Sequence, residues 1–178
     1  MRKCNGILAR VIIAMFMLHA LMGSLMLLGM NTISFEPLSW ALLAAVVAHG
    51  VLGTVASIRT FKSGKGSGKW YFKENASFWI KRITGLVILI MLAFHVSAYT
   101  TYIDGVCFLK KFTLLRMVAQ VLLIVSIFIH LLVSIKPMLI ARGVLKFKER
   151  TGDIVMLISI MMLLFAVAVI IYYIQWQI

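Results

Sequence analysis

The chain has 178 residues, of which 63% are hydrophobic and only 13% are charged, and its mean hydropathy is +1.06. An average soluble domain is about half apolar and about a quarter charged, so this composition excludes an ordinary soluble protein. The net charge of +13 would suit a nucleic-acid partner, but the placement of the cations described below argues against nucleic acid.

Long runs without a charged residue alternate with short charged segments. The runs cover residues 11–35, 37–58, 83–103, 117–135 and 154–178 and are 19 to 25 residues long. Because about 20 apolar residues cross the hydrocarbon core as a helix, the sequence predicts five transmembrane helices. A membrane β-barrel is excluded, since its strands would alternate in shorter segments.

We place the predicted helices at about residues 8–30, 38–59, 80–103, 113–141 and 153–176, with a basic loop at about 60–79 and a short turn at 104–111. Short connections favour an up-and-down bundle whose sequence neighbours are antiparallel. The predicted fold class is therefore all-α integral membrane, and residues 1–178 form a single membrane domain. A cleaved secretory signal is the alternative for the first helix, but its apolar run is too long and lacks a small-x-small cleavage site.

The cations are unevenly distributed between the two sides of the predicted bundle. If the amino terminus is cytoplasmic, 15 of the 18 Lys and Arg residues lie inside, and only Lys110, Lys111 and Arg116 lie outside. The positive-inside rule thus predicts an N-in, C-out topology. Basic loops of this kind favour contact with anionic membrane lipid or with an acidic partner subunit on the cytoplasmic face.

All four histidines lie inside predicted membrane helices, one on each of the first four: His19, His49, His95 and His130. Ionisable side chains at membrane depth are costly and indicate function, although a single one could simply bond to a neighbouring helix. Counted at about 1.5 Å per residue, His19 and His95 lie about 17–18 Å from the cytoplasmic ends, and His49 and His130 about 15 and 10 Å. Depth therefore predicts two pairs, His19 with His95 and, nearer the cytoplasm, His49 with His130.

Two opposed neutral imidazoles are typical axial ligands of b-type haem, so two pairs predict two haems along the membrane normal. Zinc is the competing metal, but it would gather its ligands at one level with thiolate or carboxylate help, and no Asp or Glu lies in the five runs. Covalent c-type attachment is excluded because no CxxCH motif occurs. Small residues four positions after a histidine, Gly23, Gly53 and Ser134, favour space for a cofactor on the same helix faces.

The segment 77–85 opens the third helix with Arg82-Ile83-Thr84-Gly85, and His95 follows ten residues after the glycine. An Arg-x-Thr/Ser-Gly motif at this place, with a histidine at that spacing, resembles the cytochrome b membrane subunit of succinate dehydrogenases and fumarate reductases. The likeness is greatest to the single-chain, five-helix, two-haem type of bacteria that use menaquinone. It extends over the whole chain in helix number, histidine order and topology.

The resemblance implies two haem b groups, a distal one held by His19 and His95 and a proximal one held by His49 and His130. It implies an iron–sulfur subunit on the cytoplasmic face and, beyond it, a flavoprotein subunit with the dicarboxylate site, all at the bacterial cytoplasmic membrane. The chain itself has no flavin motif and no cluster ligands, so no catalytic residue is predicted for it. Its implied task is to move electrons between quinone, in this type menaquinone, and the iron–sulfur subunit.

A quinone site needs a polar group beside an apolar slot near a haem. The candidates are Glu36 and Asp104 at the outer ends of helices two and three, with Trp40 and Tyr99 one turn inside. The simpler interpretation of the two acids is a solvated carboxylate at a helix end. Candidate partners for haem propionates at the inner mouth are Arg82 and Lys136.

Two other functions remain open from the sequence. One is the haem b subunit of a different membrane oxidoreductase, of the hydrogenase or formate dehydrogenase type. The other is a haem-free assembly anchor or small transporter whose histidines bond between helices. Haem content and the identity of co-purifying subunits separate these alternatives.

Overall fold

A computed structural model of the chain describes residues 2–31, 36–63, 75–99, 101–103, 106–108, 110, 113–146 and 151–177. The helices are α1 (Arg2–Leu27), α2 (Glu36–Ser63), α3 (Ala76–Tyr99), α4 (Leu114–Ile140) and α5 (Gly152–Gln177), and the strands are β1 (Thr101–Ile103) and β2 (Val106–Phe108). All five helices contain a window long and apolar enough to cross a membrane. The predicted helical membrane bundle is thus confirmed, while its N-in, C-out orientation stays a prediction.

The third helix ends earlier than the hydropathy pattern suggested. We expected it to reach about residue 103, but α3 ends at Tyr99 and the chain continues into an antiparallel ladder that pairs Tyr102 with Cys107. β-Branched and aromatic residues dominate this stretch, and they favour a strand once the chain leaves the helix. The amide of Lys110 donates to the carbonyl of Ala98 at 3.0 Å, which ties the exit of the strand pair to the last turn of α3.

The basic loop predicted at 60–79 lies largely outside the described residues, because 64–74 are not among them.

Helices α1 and α4 end in the same way, on a glycine with positive φ. Gly29 has φ of 70° and Gly143 has φ of 72°. After α1 the amide of Gly29 donates to Met26 and that of Met30 to Leu25, at 3.0 and 2.9 Å. This Schellman arrangement satisfies carbonyls that the last turn would leave unpaired, and glycine adopts the left-handed conformation without strain. Such a cap gives α1 a defined end about two turns beyond His19.

Packing between the helices is uneven. α3 and α4 form the most extensive interface, α1 packs along α2, and α5 packs on both α1 and α4, whereas α2 and α3 touch only lightly. A buried apolar cluster between α4 and α5 contains Leu131, Ile158, Met162 and Phe165. Phe16 of α1 meets Phe165 edge to face, with ring centroids 6.1 Å apart. The fold is therefore two antiparallel helix pairs, α1–α2 and α3–α4, held in place by α5.

The two ends of the bundle differ in charge. We call the end where α1 and α3 begin the basic end, and the opposite end, where β1 and β2 follow α3, the strand end. Described cations near the basic end include Arg10, Arg59, Lys81, Arg82 and Lys136. Large apolar side chains point outward between the two ends, as for Leu86, which is 61% exposed, because lipid rather than water surrounds this surface.

Candidate cofactor site

His19 of α1 and His95 of α3 meet across the bundle. Their ring centroids are 6.1 Å apart and the ring planes make an angle of 74°. The two helices belong to different antiparallel pairs and have almost no close backbone contact, so the imidazoles themselves bridge the gap. The structure therefore brings together the two histidines that depth paired, and we call them the strand-end pair.

The separation of the strand-end pair suits a shared metal ion. An ion bound to one nitrogen of each ring at about 2.0–2.1 Å, each nitrogen about 1.1 Å from its ring centre, would set the centres about 6 Å apart. The observed 6.1 Å is close to that value, but a direct edge-to-face contact of two rings falls in the same range. A metal ligand must in addition carry a lone pair on one ring nitrogen, and the hydrogen bond of His95 shows which nitrogen that is.

Both rings of the strand-end pair are held through Nδ1. His95 Nδ1 lies 2.7 Å from Oε1 of Gln120 on α4, and His19 Nδ1 lies 3.2 Å from the hydroxyl of Ser39 on α2. An amide oxygen only accepts, so His95 donates its Nδ1 proton and Nε2 carries the lone pair. A metal-binding histidine has this arrangement, with one nitrogen bonded to the protein and the other available to the ion.

The second site lies nearer the basic end and contains His49 and His130, the basic-end pair. His130 Nδ1 lies 2.9 Å from the hydroxyl of Thr84, which itself donates to the carbonyl of Ile80 at 2.7 Å. A hydroxyl has one proton to donate, so Thr84 accepts from His130, and the lone pair is again on Nε2. The imidazoles of His49 and His130 lie within electrostatic range of each other.

His49 differs from the other three histidines. Its ring approaches the backbone of Asn5 on α1. Within the described ranges, however, its buried Nδ1 has no hydrogen-bond partner. The basic-end pair therefore has one ring bonded to a side chain, that of Thr84, and one bonded to the backbone, at Asn5.

Arg82 lies beside the basic-end pair. It is within electrostatic range of both His49 and His130. Its guanidinium carbon lies 4.5 Å from the centre of the Phe78 ring. The buried Nε of Arg82 has no partner among the described residues, so a donor for an anion lies at the edge of the histidine site.

Lys136, the other candidate for a propionate, is half-buried in the last third of α4. The lysine that acts electrostatically on His130 is Lys81, together with Arg82. The propionate role of Lys136 stays a prediction.

The glycines near the histidines serve different purposes. A Cβ atom at Gly23 or Gly53 would meet no atom within 4 Å, so open space adjoins both positions. At Gly50, by contrast, a Cβ would lie 3.1 Å from Leu89, which identifies Gly50 as the point where α2 approaches α3. Gly85 lies against the histidine of the next helix, because a Cβ there would be 3.7 Å from Cε1 of His130.

Of the candidates for a quinone site, Tyr99 is the one that contacts a histidine in the described structure. Its ring centroid lies 4.8 Å from that of His95. Glu36 and Trp40 are exposed in the first turns of α2, Trp40 by 50%. Asp104 lies outside the described residues. The assignment of these four residues stays a prediction.

A cavity of about 240 Å³ opens at the strand end between α1 and α5. Its lining residues are Met26, Leu27, Leu28, Gly29, Tyr172 and Gln175. Tyr172 lies within electrostatic range of Tyr99. Polar side chains thus lead from this cavity towards His95, a connection that sequence reasoning did not identify.

Sequence reasoning also missed the hydrogen-bond partners of the ligand candidates, namely Ser39, Thr84 and Gln120. Gln120 carried a usable signal, since it is a polar amide in an otherwise apolar stretch of α4, and the structure buries it to 3% exposure.

Among the described residues, no three His, Cys, Asp or Glu side chains converge. The histidines therefore form pairs, and the free thiol of Cys4 is exposed.

Comparisons with models of known protein families, with curated protein sequences and with solved structures found no match to this chain.

Proposed function

We propose that this chain is the dihaem cytochrome b membrane anchor of a succinate:quinone oxidoreductase, a succinate dehydrogenase or fumarate reductase. The observation that carries the proposal is the strand-end pair, whose ring centroids are 6.1 Å apart while Nδ1 of His95 donates to Gln120. Two rings at this separation, with Nε2 of His95 left as a lone pair, fit the axial positions of one haem iron.

The residues around both pairs fit a porphyrin as well as its iron. Open space adjoins Gly23 and Gly53, each one helical turn beyond a histidine. The buried Nε of Arg82, which has no partner among the described residues, suits a haem propionate, because a guanidinium group forms strong charge-assisted hydrogen bonds with a carboxylate. His19 and His95 would hold the distal haem, and His49 and His130 the proximal one.

When bound, haem supplies reversible one-electron transfer at each level of the bundle. The protein's own residues orient the imidazole rings of each histidine pair. The apolar helix surfaces exclude water, and the helices set the distance between the two pairs. His95 and Thr84 are eleven residues apart on α3, and Thr84 marks the level of His130, so the two levels are about 16 Å apart along the helix. Electrons would thus pass between a quinone at the strand end and an acceptor or donor at the basic end.

The partners follow from the charge of the basic end and from the family resemblance. An iron–sulfur subunit would dock on the basic end, with a flavoprotein subunit beyond it, and anionic membrane lipid would contact the same cations. The positive-inside rule puts this end on the cytoplasmic side, and the resemblance implies that the complex lies in a bacterial cytoplasmic membrane. Menaquinone is the quinone that the resemblance implies, and Tyr99 beside His95 is the side chain best placed to hydrogen-bond a headgroup.

The test is the haem content of the full chain produced in haem-replete cells and purified in detergent. We expect a b-type spectrum after reduction and about two haems per chain. His95→Ala should remove about half of the haem. Ser97→Ala, at an exposed position of α3 whose hydroxyl donates to the Phe94 carbonyl, should leave both haems. A pure wild-type preparation without haem absorption would overturn the proposal.

Co-purifying subunits decide which oxidoreductase the anchor serves. Flavin together with succinate oxidation or fumarate reduction by the isolated complex supports the assignment. Nickel or molybdenum in the attached subunits would instead identify a hydrogenase or formate dehydrogenase type and refute the succinate:quinone assignment.

A further inference from the structure

The α3–α4 interface contains two hydrogen bonds of the same kind, one at each histidine level. His95 of α3 is bonded to Gln120 of α4, and His130 of α4 is bonded to Thr84 of α3, at 2.7 and 2.9 Å. Each helix therefore supplies one histidine and also the partner that holds the histidine of the other helix.

One helix register sets both bonds. Thr84 and His95 are eleven residues apart on α3, and Gln120 and His130 are ten residues apart on the antiparallel α4. At about 1.5 Å per residue these spans are about 16 and 15 Å, so they match to within about 2 Å. Because this interface is the most extensive in the bundle, the register is well determined and both bonds form together.

The two bonds fix the same proton position. Gln120 Oε1 can only accept, and the Thr84 hydroxyl has already donated its proton to Ile80 at 2.7 Å. Both His95 and His130 must then carry the proton on Nδ1 and the lone pair on Nε2. A neutral histidine without such a partner can exchange between tautomers, so these bonds select the tautomer whose Nε2 is the nitrogen that can bind a metal.

We propose that Thr84 and Gln120 are positioning residues that preset His130 and His95, respectively, as axial ligands, an inference that rests on the proposed function. It gives the Arg82-Ile83-Thr84-Gly85 motif a specific role. Thr84 bonds the His130 ring and Gly85 leaves room for it. The motif therefore serves the histidine of the neighbouring helix and not His95, which follows it on α3.

The experiment compares Thr84→Val and Gln120→Leu, which keep similar volume and remove the hydrogen bond to His130 and to His95, respectively. Thr84→Val also removes the bond from the hydroxyl to the Ile80 carbonyl within α3. In a redox titration of the purified chain, the two reduction waves are first assigned by which wave is lost in His95→Ala and in His130→Ala. We expect Thr84→Val to weaken haem binding at the His130 level about 10- to 100-fold and to raise its midpoint potential, since the imidazole becomes less basic. The His95 wave stays unchanged, and Gln120→Leu gives the opposite selectivity.

Thr84→Ser is the rescue variant, because it restores the hydroxyl, and it should return the His130 wave to its wild-type position. The unchanged wave in each variant also shows that the bundle is folded. Waves that stay in place in both variants, or that shift together by the same amount in each, would overturn the inference while leaving the proposed function intact. Absence of haem from the wild-type chain would instead overturn the proposed function.

Discussion

Substitutions of increasing size at Gly85 test the contact between α3 and the His130 ring of the basic-end pair. A Cβ atom here would lie 3.7 Å from Cε1 and 4.0 Å from Nδ1 of His130, which is ordinary van der Waals contact. We expect Gly85→Ala to leave the ring in place and, since alanine favours a helix over glycine by up to about 1 kcal/mol, to preserve or increase stability. Gly85→Val adds two methyl carbons about 1.5 Å beyond the Cβ on a side chain with little rotational freedom.

The imidazole of His130 must then move by about 1 Å, because the neighbouring volume is already filled to contact distance. Such a shift lengthens the 2.9 Å bond to Thr84 beyond the range in which a hydrogen bond is strong. Overpacking of this kind costs about 1–3 kcal/mol, which corresponds to roughly 5- to 150-fold weaker haem binding at this level if the strain falls on the bound state.

The assay is haem per chain and the two reduction waves for Gly85→Ala and Gly85→Val, purified in parallel. The alanine variant is the control, since its Cβ meets the ring at ordinary van der Waals distance and does not displace it. If the valine variant kept the His130 wave at full amplitude and wild-type potential, Gly85 would not contact this ring. If both variants lost the same amount of haem, the loss would come from the helix and not from the ring contact.

Three further predictions test other parts of the site. Arg82→Gln should lower the midpoint potential of the basic-end haem more than Lys136→Gln does. Loss of the nearer positive charge stabilises the oxidised iron, which is more positive than the reduced iron. Equal shifts of the two variants in a redox titration would contradict the placement of Arg82. Tyr99→Phe should keep both haems but slow electron exchange with a quinol in stopped-flow measurements, and an unchanged rate would remove Tyr99 from the quinone site. Gly50→Val should destabilise the bundle by about 1–3 kcal/mol in detergent unfolding, since even a Cβ there lies 3.1 Å from Leu89, whereas Gly50→Ala should cost less because that side chain end can move.

The sequence by itself determined the membrane fold and identified four histidines as candidate ligands. Apolar runs of 19 to 25 residues leave no alternative to spanning helices, because backbone groups in lipid must bond within their own segment. A histidine in each of four such helices stands out because an ionisable side chain is costly at membrane depth, and no Asp, Glu or Cys lies in those runs. Counting residues at a fixed rise paired His19 with His95, whose rings meet in the structure. The count placed the two histidine levels only a few ångströms apart, however, whereas the positions of Thr84 and His95 on α3 set them about 16 Å apart.

Local and tertiary contacts decided what the sequence pattern left open. Hydropathy did not distinguish the last turn of α3 from strand β1, because apolar β-branched residues suit either. The hydrogen-bond partners Gln120 and Thr84 could be identified only from the register of α3 and α4. The bond from His95 to Gln120 joins residues 25 positions apart, and the bond from His130 to Thr84 joins residues 46 positions apart. Likewise, only the packing distinguished Gly50, which admits Leu89, from Gly53, which adjoins open space. Periodicity gives a residue its depth and face, but the neighbour it meets there depends on the register of a second helix.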